Sequence, residues 1–345
     1  MELRPPETPP RAWVLNLDAE HELEALRSYA PTDRLREIVA RESRRLVGPL
    51  VAPHDVVVTE EDLLAGGASA ERARGLEGLA WSPTPRALAL LSRAGAHAPA
   101  APPVAVLRAV NARPFAAAVR APLARASFAK HVALDLGSVL ARLAEPAPLG
   151  WLVRRTFGAA GRGRRRIAAG RPSPAEVAWI EASLRLGPLV LEPWVEVLRE
   201  HTRSGWVGAD GTVAISAPCF QLVNEHGAWT GTERAELDLV VRDDDARLEE
   251  ACAAAGAALA AAGYFGPFGI DAYNHRALDG SGVVLNPLSE INARFTMDWA
   301  TAMAADPRSG EARERIVRLA GAGEIQADAP RQRVAIRAAS EPPRG

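Results

Sequence analysis

Acidic, amide and basic side chains alternate with apolar ones in the segment EINARF, which spans positions 290 to 295. Successive side chains of a strand lie on opposite faces, so Glu290, Asn292 and Arg294 share one face. The apolar residues between them share the other. The segment therefore predicts a strand with one polar face, where chemistry can occur, and one face in a core.

A second carboxylate is expected opposite this strand. Residues 279 to 282, Asp-Gly-Ser-Gly, are typical of a hairpin turn, and a hairpin folded symmetrically about their midpoint places Asp271 across from Glu290. Their β-carbons would lie roughly 5 Å apart, where like charges repel unless a cation or a proton lies between them. A divalent metal ion is the natural occupant. The alternative is a pair of solvated strand residues, and Pro287 indicates a bulge or an edge that would shift the pairing.

A glycine-rich run lies between two segments with strand character, at 151 to 157 and near 165 to 169. Glycine lets the main chain approach a phosphate closely, and a guanidinium makes paired, charge-assisted bonds to phosphate oxygens. Gly161 and Gly163, with the arginines around them, could therefore close over phosphates. A surface turn with solvated arginines is the alternative. The chain contains no G-x-x-x-x-G-K-[ST] motif, and the glycines precede no helix start of the kind that a dinucleotide fingerprint requires.

The order of these segments resembles that of the ATP-grasp superfamily. The glycine-rich loop, the segment LVLEPWVEVLREHTR at 189 to 203, and an acid followed by E-x-N on the next strand fall within about residues 105 to 300. The phrase EINAR with a following Thr-Met resembles the members that join carboxylates to amines. The resemblance implies α/β and α+β structure, in which a small N-terminal α/β domain precedes a two-lobed ATP-binding unit.

The resemblance also implies nucleotide-binding residues. In that family a lysine on the strand before the loop points at the phosphates, and Arg154 stands at its position. Arg113 stands where another family lysine begins the preceding segment. Arginine keeps the charge but is not interchangeable with lysine, so the exact role of both residues is open.

The segment at 189 to 203 matches the family's hinge. By resemblance Glu192 would open the hinge, Trp194 and Val195 would line the adenine pocket, and Glu200 would hold the ribose hydroxyls, since a carboxylate accepts from two neighbouring hydroxyls. A buried strand end with Trp194 in the core is the alternative.

By resemblance the protein is an ADP-forming ligase that joins a small-molecule carboxylate to an amine through an acyl phosphate. ATP and Mg²⁺, or Mn²⁺ in its place, would be the cofactors; Asp271, Glu290 and Asn292 would bind the metal. Arg294 would hold the carboxylate or the acyl phosphate. Ligases of the D-alanine type carry an arginine two residues before the first metal aspartate, where this chain has Gly269, so the acceptor's anchoring does not transfer.

Two alternatives remain open. One is an ATP-grasp kinase that phosphorylates a hydroxyl. The other is a non-catalytic nucleotide- or polyanion-binding module that uses the arginines at 162 to 166, for which strong salt dependence of binding would argue.

Composition favours a soluble protein with a small-molecule partner. The chain has 345 residues, 48% of them hydrophobic, and a formal net charge of -1, which argues against nucleic acid as the main partner. Two cysteines are too few for a disulfide framework, no leader segment opens the chain, and the alanine-rich run at 251 to 262 is too short to cross a membrane. These features predict a cytoplasmic location, and a homodimer is common in the family.

The chain divides by composition and by its α/β rhythm. The predicted divisions are a disordered arm at 1–10, an N-terminal α/β domain at 11–95, an Ala- and Pro-rich linker at 96–105, the ATP-grasp domain at 106–325 and a weakly ordered tail at 326–345. Of the 41 basic residues only Lys130 is a lysine. Its context fits a solvated position as well as a substrate contact.

Overall fold

The computed structural model describes residues 9–25, 29–48, 50–64, 66–123, 128–158, 162–216, 219–223, 229–234 and 242–303. Gly161, most of the predicted arm at 1–10 and the whole predicted tail at 326–345 lie outside these ranges. The described residues form three sheets with helices packed against them, which confirms the predicted mixture of α/β and α+β structure. Within these ranges no helix combines the length and apolar character needed to cross a bilayer.

The N-terminal part contains a parallel sheet. Its strands are β1 (Arg11–Val14), β2 (Val56–Val57) and β3 (Glu77–Ala80), and its helices are α1 (Ala19–Glu24), α2 (Asp33–Ser43), α3 (Glu60–Leu64), α4 (Ala68–Ala73) and α5 (Pro85–Arg93). The strand order is β2-β1-β3. The residues Ser82-Pro83-Thr84-Pro85 and the later Gly95 are typical start and stop signals of a helix, and α5 lies between them: it has Pro85 in its first turn and is followed by Gly95 at φ 75°.

The next two helices are α6 (Val104–Val110) and α7 (Arg113–Arg120). A single helix is expected over 110–121 from the sequence, and the structure corrects this. The chain breaks at Asn111, whose side chain donates to the Leu107 carbonyl and accepts from the backbone N–H of Ala293 (2.9 Å each). An asparagine that bonds to nearby backbone competes with helix continuation. The break therefore starts α7 at Arg113 and ties it to the polar strand at 290–295.

A four-stranded antiparallel sheet forms the smaller lobe. It consists of β4 (His131–Ala133), β5 (Trp151–Arg154), β6 (Arg164–Ile167) and β7 (Leu189–Pro193), with α8 (Leu136–Leu143) and α9 (Pro174–Leu184) packed on one face. The strand order is β4-β7-β5-β6. Helix α9 starts with the predicted capping box, in which Ser173 and Glu176 satisfy each other's backbone N–H groups. The glycine-rich run connects β5 to β6, as the sequence predicts.

A larger antiparallel sheet faces the smaller one. It contains β8 (Val197–Val207), β9 (Val213–Ile215), β10 (Cys219–Val223), β11 (Trp229–Arg234), β12 (Gly266–Arg276) and β13 (Val283–Asn292), with α10 (Arg242–Ala261) and the short α11 (Trp299–Met303). Its strand order is β11-β10-β8-β12-β13, with β9 paired to β8. Ala251, Ala255 and Leu259 of α10 are fully buried against the sheet, so the alanine-rich run is part of the core. Gly263, at φ 81°, follows that helix.

The β12–β13 hairpin places Asp271 directly across from Glu290. The register is the predicted one, but two deviations cancel to produce it. Near the turn Arg276 pairs with Val283, so the turn is centred one bond earlier than predicted. A bulge then compensates: Pro287 to Ser289 fill the space on β13 that faces only Ala272 on β12. The bulge that Pro287 indicates is therefore present, and it restores the pairing.

One apolar cluster joins the N-terminal sheet to the residues after β13. Trp13, Leu15 and Trp81 pack against Phe295 and Trp299, all of them buried. The indole N–H of Trp299 also donates to the Gly205 carbonyl of β8 (3.0 Å). This cluster fixes the segment that follows the EINAR strand.

Candidate functional site

A cavity of about 250 Å³ lies where the two antiparallel sheets meet the N-terminal part. Six residues that the sequence singles out line it: Arg113, Arg154, Asp271, Glu290, Asn292 and Arg294. It is also lined by residues to which the sequence analysis assigns no role in the preferred site, among them Glu20, Arg164, Gln221, Thr296 and Asp298. The structure thus brings the predicted residues from α7, from the three strands β5, β12 and β13, and from the segment after β13 into one space.

Asp271 forms the acidic end of this cavity. Its two carboxylate oxygens accept hydrogen bonds from the side-chain amides of Gln221 and Asn292, at 3.0 Å each. The Gln221 amide also donates to Asp298 at 3.0 Å, so a third carboxylate lies beside the pair. Burial, followed by the charges of Glu290 and Asp298, raises the pKa of Asp271 to about 7. The negative charges of the acids around Asp271 are therefore not balanced by nearby positive charges.

Glu290 lies among cations instead. Arg113 Nη2 is 3.2 Å from one of its oxygens, and Arg154 Nη1 is 3.8 Å from the other. Burial alone would raise the pKa of Glu290, but the two guanidinium groups hold it below its ordinary value. The two facing carboxylates thus have opposite electrostatic surroundings.

Arg113 also anchors the start of the glycine-rich loop. Its guanidinium donates to the main-chain oxygens of Arg155 (2.9 Å) and Gly158 (2.7 Å). A Cβ at Gly158 would lie 2.5 Å from the Arg162 carbonyl, so only glycine fits this close approach. Gly163 has φ 68° and accepts from the Arg155 N–H at 2.8 Å. The described part of the loop is therefore held closed on itself next to Glu290.

Arg294 links the cavity to the N-terminal part. Its Nε donates to Glu20 at 2.8 Å, its Nη2 donates to the Asn292 side-chain oxygen at 3.0 Å, and its guanidinium lies over the Trp81 ring. Asn292 therefore joins two charged groups, because its amide nitrogen binds Asp271 and its oxygen binds Arg294. The polar face predicted for the EINAR strand is continuous along the cavity wall.

The arrangement of elements matches solved ATP-binding proteins. Biotin carboxylase from Campylobacter jejuni, solved as a β-γ-ATP complex, aligns with a TM-score of 0.54 at 14% identity, over 90% of this chain and 70% of that chain. The chain has the ATP-grasp fold. The fold predicted from the sequence is thereby confirmed.

Two other solved proteins align over most of the chain. D-alanyl-alanine synthetase A from Vibrio cholerae has a TM-score of 0.49 at 13% identity, covering 91% of this chain and 98% of that chain. N5-carboxyaminoimidazole synthetase from Staphylococcus aureus, complexed with ADP, has a TM-score of 0.47 at 10% identity, covering 84% and 72%. No protein-family model matches the sequence, and no curated protein matches it.

The predicted hinge of the ATP-grasp fold lies beside the cavity and does not line it. Glu192 is buried, with Arg154 at 2.8 Å from one oxygen and Lys130 at 3.4 Å from the other. Burial raises the pKa of Glu192, and the two cations more than reverse this and hold it below its ordinary value. The Glu192 carboxylate therefore holds the Arg154 guanidinium from the side that does not face the cavity.

The other hinge residues follow Glu192 along the chain. The Trp194 backbone N–H donates to the Gly150 carbonyl at 2.8 Å, and its ring lies 5.0 Å from the Arg166 guanidinium carbon. Val195 is buried. Glu200 lies on β8, where it pairs with Gln221 on one side and Tyr273 on the other, and burial raises its pKa. Their roles toward adenine and ribose stay predictions.

The donor set fits a hard divalent cation. Asp271 and Glu290 offer two carboxylates and Asn292 an amide oxygen, which are the ligand types that Mg²⁺ prefers. In this structure the Asn292 oxygen accepts from Arg294, so it would have to exchange that partner for the cation. The raised pKa of Asp271 indicates a charge deficit that a cation would relieve. Among the described residues no three His, Cys, Asp or Glu side chains form a metal-binding group, so any cation here would rely on the Asn292 oxygen or on other ligands.

The sequence assigns no role to Glu20 and Gln221, because they come from distant segments that only the folded chain brings to the site, and none to Asp298. Asp298 carries a usable signal, since it is an acid between the apolar Met297 and Trp299 just beyond the EINAR strand, and the structure buries it. Buried acids in an apolar context are rare without a partner. Glu20 and Gln221 carry no comparable signal.

Proposed function

We propose that the protein is an ATP-dependent ligase that joins a carboxylate to an amine through an acyl phosphate and releases ADP. The observation that carries this proposal is the single cavity in which the Asp271 and Glu290 pair lies next to Arg113 and Arg154. Acids that suit a cation and arginines that suit phosphates are the two requirements of a magnesium-nucleotide site. The ATP-grasp fold places both between two sheets.

The residues then have distinct tasks. Asp271, Glu290 and Asn292 would hold Mg²⁺ or Mn²⁺, which would neutralise charge on the terminal phosphates. Arg113, Arg154 and Gly163 would contact the phosphates; Gly161, in the same loop, lies outside the described residues. Glu192, Trp194, Val195 and Glu200 are the proposed adenine and ribose side of the site.

Nucleotide binding would exchange the present partner of Arg113 and Arg154 for phosphate groups. Arg113 and Arg154 now contact the Glu290 carboxylate. With Glu290 among the residues that would hold a cation, Arg113 and Arg154 would be free to bind phosphate oxygens in place of its carboxylate. This exchange keeps the buried charges compensated at each stage, which lowers the desolvation cost of binding.

Arg294 is the proposed anchor for the substrate carboxylate and the acyl phosphate. Its guanidinium lines the cavity beside Asn292 and is oriented by Glu20. Preorganised donors of this kind are typically worth on the order of 2 to 4 kcal/mol in a transition state. A cytoplasmic location and a homodimer stay predictions.

The two alternatives have less support. Arg162, Arg164 and Arg166 are exposed, but Arg164 also lines the cavity, and Arg165 and Arg166 lie over the rings of Trp179 and Trp194. The cluster is therefore shared between the cavity, the fold and the surface, and a polyanion site would not account for the facing acids. A kinase would use the same site. ADP release that requires an amine as well as a carboxylate favours the ligase, and ADP release with a hydroxyl compound alone favours the kinase.

Calorimetric titration of a non-hydrolysable ATP analogue tests the site directly. We expect micromolar binding that requires Mg²⁺ and that weakens at least tenfold in Glu290→Gln, about 1.4 kcal/mol. Glu145→Gln is the matched control, because Glu145 is an exposed carboxylate paired with Arg142, outside both the cavity and the predicted hinge. Absence of binding to the wild type with and without Mg²⁺ would overturn the proposal.

A further inference from the structure

Lys130 lies at the junction of the two sheets that enclose the cavity. It immediately precedes β4 of the smaller sheet, and its ammonium donates to the main-chain oxygen of Ser289 on β13 of the larger sheet (2.5 Å). The same ammonium lies 3.4 Å from Glu192. Its side chain is 4% exposed. The only lysine of a chain with 41 basic residues is therefore a buried contact between lobes.

Ser289 occupies a special place in the hairpin. It is the last residue of the β13 bulge and directly precedes Glu290. In a bulge the ladder of hydrogen bonds is interrupted, and backbone groups lose their cross-strand partners. A buried carbonyl that loses its donor is costly, and the Lys130 ammonium donates to this one at the point where the ladder is interrupted.

The chemistry of the side chain suits this task. An ammonium is a compact point charge with three donors, whereas a guanidinium is a broad planar fork. Lys130 has to fit beside Arg120 and Arg154. Burial, followed by the charges of Arg154 and Arg120, lowers the pKa of Lys130 to about 8 in spite of Glu192. A third fork in this space would meet the two that are already there. Shape then explains a lysine at this position in a chain otherwise rich in arginine.

We propose that Lys130 is a positioning residue for the metal-nucleotide site: by holding the Ser289 carbonyl and the Glu192 carboxylate, it fixes the β13 bulge and so keeps Glu290 across from Asp271. On one side it sets the position of an acid proposed to bind the metal. On the other side it sets Glu192, which in turn holds Arg154. The inference rests on the proposed function, because it concerns the same site.

The test compares Lys130→Met with Arg203→Met. Methionine has a similar length to lysine but carries no charge. Arg203 is the matched control, because it is a buried cation of the larger sheet that is paired with Asp245 and lies outside the cavity. For each protein the affinity of the non-hydrolysable ATP analogue is measured with and without Mg²⁺, and thermal unfolding is followed in parallel.

We expect the affinity gain produced by Mg²⁺ to fall at least fivefold in Lys130→Met and to stay within twofold of wild type in Arg203→Met, although both variants unfold at lower temperature. A purely structural ion pair would lower stability and leave the magnesium effect unchanged, and that result would overturn the inference while the proposed function stands. A wild type that shows no magnesium-dependent binding would overturn both.

A second measurement decides the matter should Lys130→Met not fold. Incorporation of ε-¹⁵N lysine into the wild type labels one side-chain nitrogen, because the chain has one lysine. Addition of the analogue with Mn²⁺ should broaden this single resonance strongly, whereas the analogue with Mg²⁺ should shift it without broadening. A resonance that the Mg²⁺ complex leaves unshifted, in a sample in which calorimetry shows magnesium-dependent binding, would overturn the inference while the proposed function stands.

Discussion

The two facing carboxylates differ in their charge state because of what each touches. Glu290 lies between two guanidinium groups, and Asp271 lies against two amides and two other acids. Like charges at this distance cannot both ionise cheaply, so the proton goes to the carboxyl with the weaker cationic surroundings. Near neutral pH Glu290 is ionised, and Asp271 is present in both its protonated and its ionised form.

This difference predicts a pH dependence of metal binding. A metal ligand has to lose its proton, so the magnesium-dependent affinity for the ATP analogue should rise as pH increases from 6 to 8, by up to about tenfold for each unit below the pKa of Asp271, which is raised to about 7. Calorimetry in buffers with different ionisation enthalpies should detect up to one released proton at pH 6 and almost none at pH 8.5.

Binding without Mg²⁺ is the internal control, since it does not require Asp271 to ionise. A magnesium effect that is flat between pH 6 and 8 would contradict the assignment of Asp271 as a ligand.

Strand β12 shows why this chain departs from D-alanine-type ligases two residues before Asp271. A Cβ built on Gly269 would lie 2.7 Å from the Cγ2 of Thr296, which is a short and buried side chain. No side chain fits there while the segment after β13 keeps its path. Glycine at position 269 is therefore what allows the segment that carries Arg294 and Asp298 to pass so close to β12.

Gly269→Ala should lower the free energy of unfolding by about 1 to 3 kcal/mol, because overpacking forces neighbouring groups to shift. Adding Thr296→Ser removes the methyl group that the new Cβ meets, so the double variant should regain most of that loss. Urea denaturation of the wild type, both single variants and the double variant measures the coupling between the two sites. Additive effects would show that the two positions do not compete for space.

The same hairpin shows how far local patterns reach. Alternation and turn residues were sufficient to predict that Asp271 pairs with Glu290. The turn itself lies one bond earlier than predicted, and the bulge at Pro287 restores the register. The capping box of α9 and the stop at Gly95 were also predictable, because each depends on a few neighbouring residues. Register through a bulge depends on contacts such as Lys130 with Ser289, which lie far apart in sequence.

Elements without a strong period escaped prediction. Strand β3, strand β11, the first half of β8 and the short helices α1, α3 and α4 are set by tertiary packing more than by local propensity. The site shows the same division. Residues on the EINAR strand could be found from alternation, whereas Glu20, Gln221 and Asp298 join them only through the folded chain.

Across the whole molecule, the predicted boundary at 96–105 contrasts with the packing. Residues 98–103 form neither helix nor strand, as a linker would. The N-terminal sheet nevertheless shares a buried aromatic cluster with the segment after β13, and Glu20 is hydrogen-bonded to Arg294. The N-terminal sheet also has an apolar cluster of its own, in which Val14 and Val56 pack against Leu91 of α5, as a domain requires. The boundary in sequence is nevertheless crossed by the shared aromatic cluster, and the division into domains stays a prediction.

A common core predicts common unfolding. Trp299 is fully buried, contacts the N-terminal sheet through the aromatic cluster, and bonds to β8. Trp299→Ala should cost about 3 to 5 kcal/mol and should lower the stability of the N-terminal sheet and the large sheet together. In scanning calorimetry the wild type should unfold in one transition whose calorimetric and van't Hoff enthalpies agree. Native-state hydrogen exchange should show β1 and β8 losing protection by the same amount in the variant, whereas independent domains would give two transitions and leave β1 unaffected.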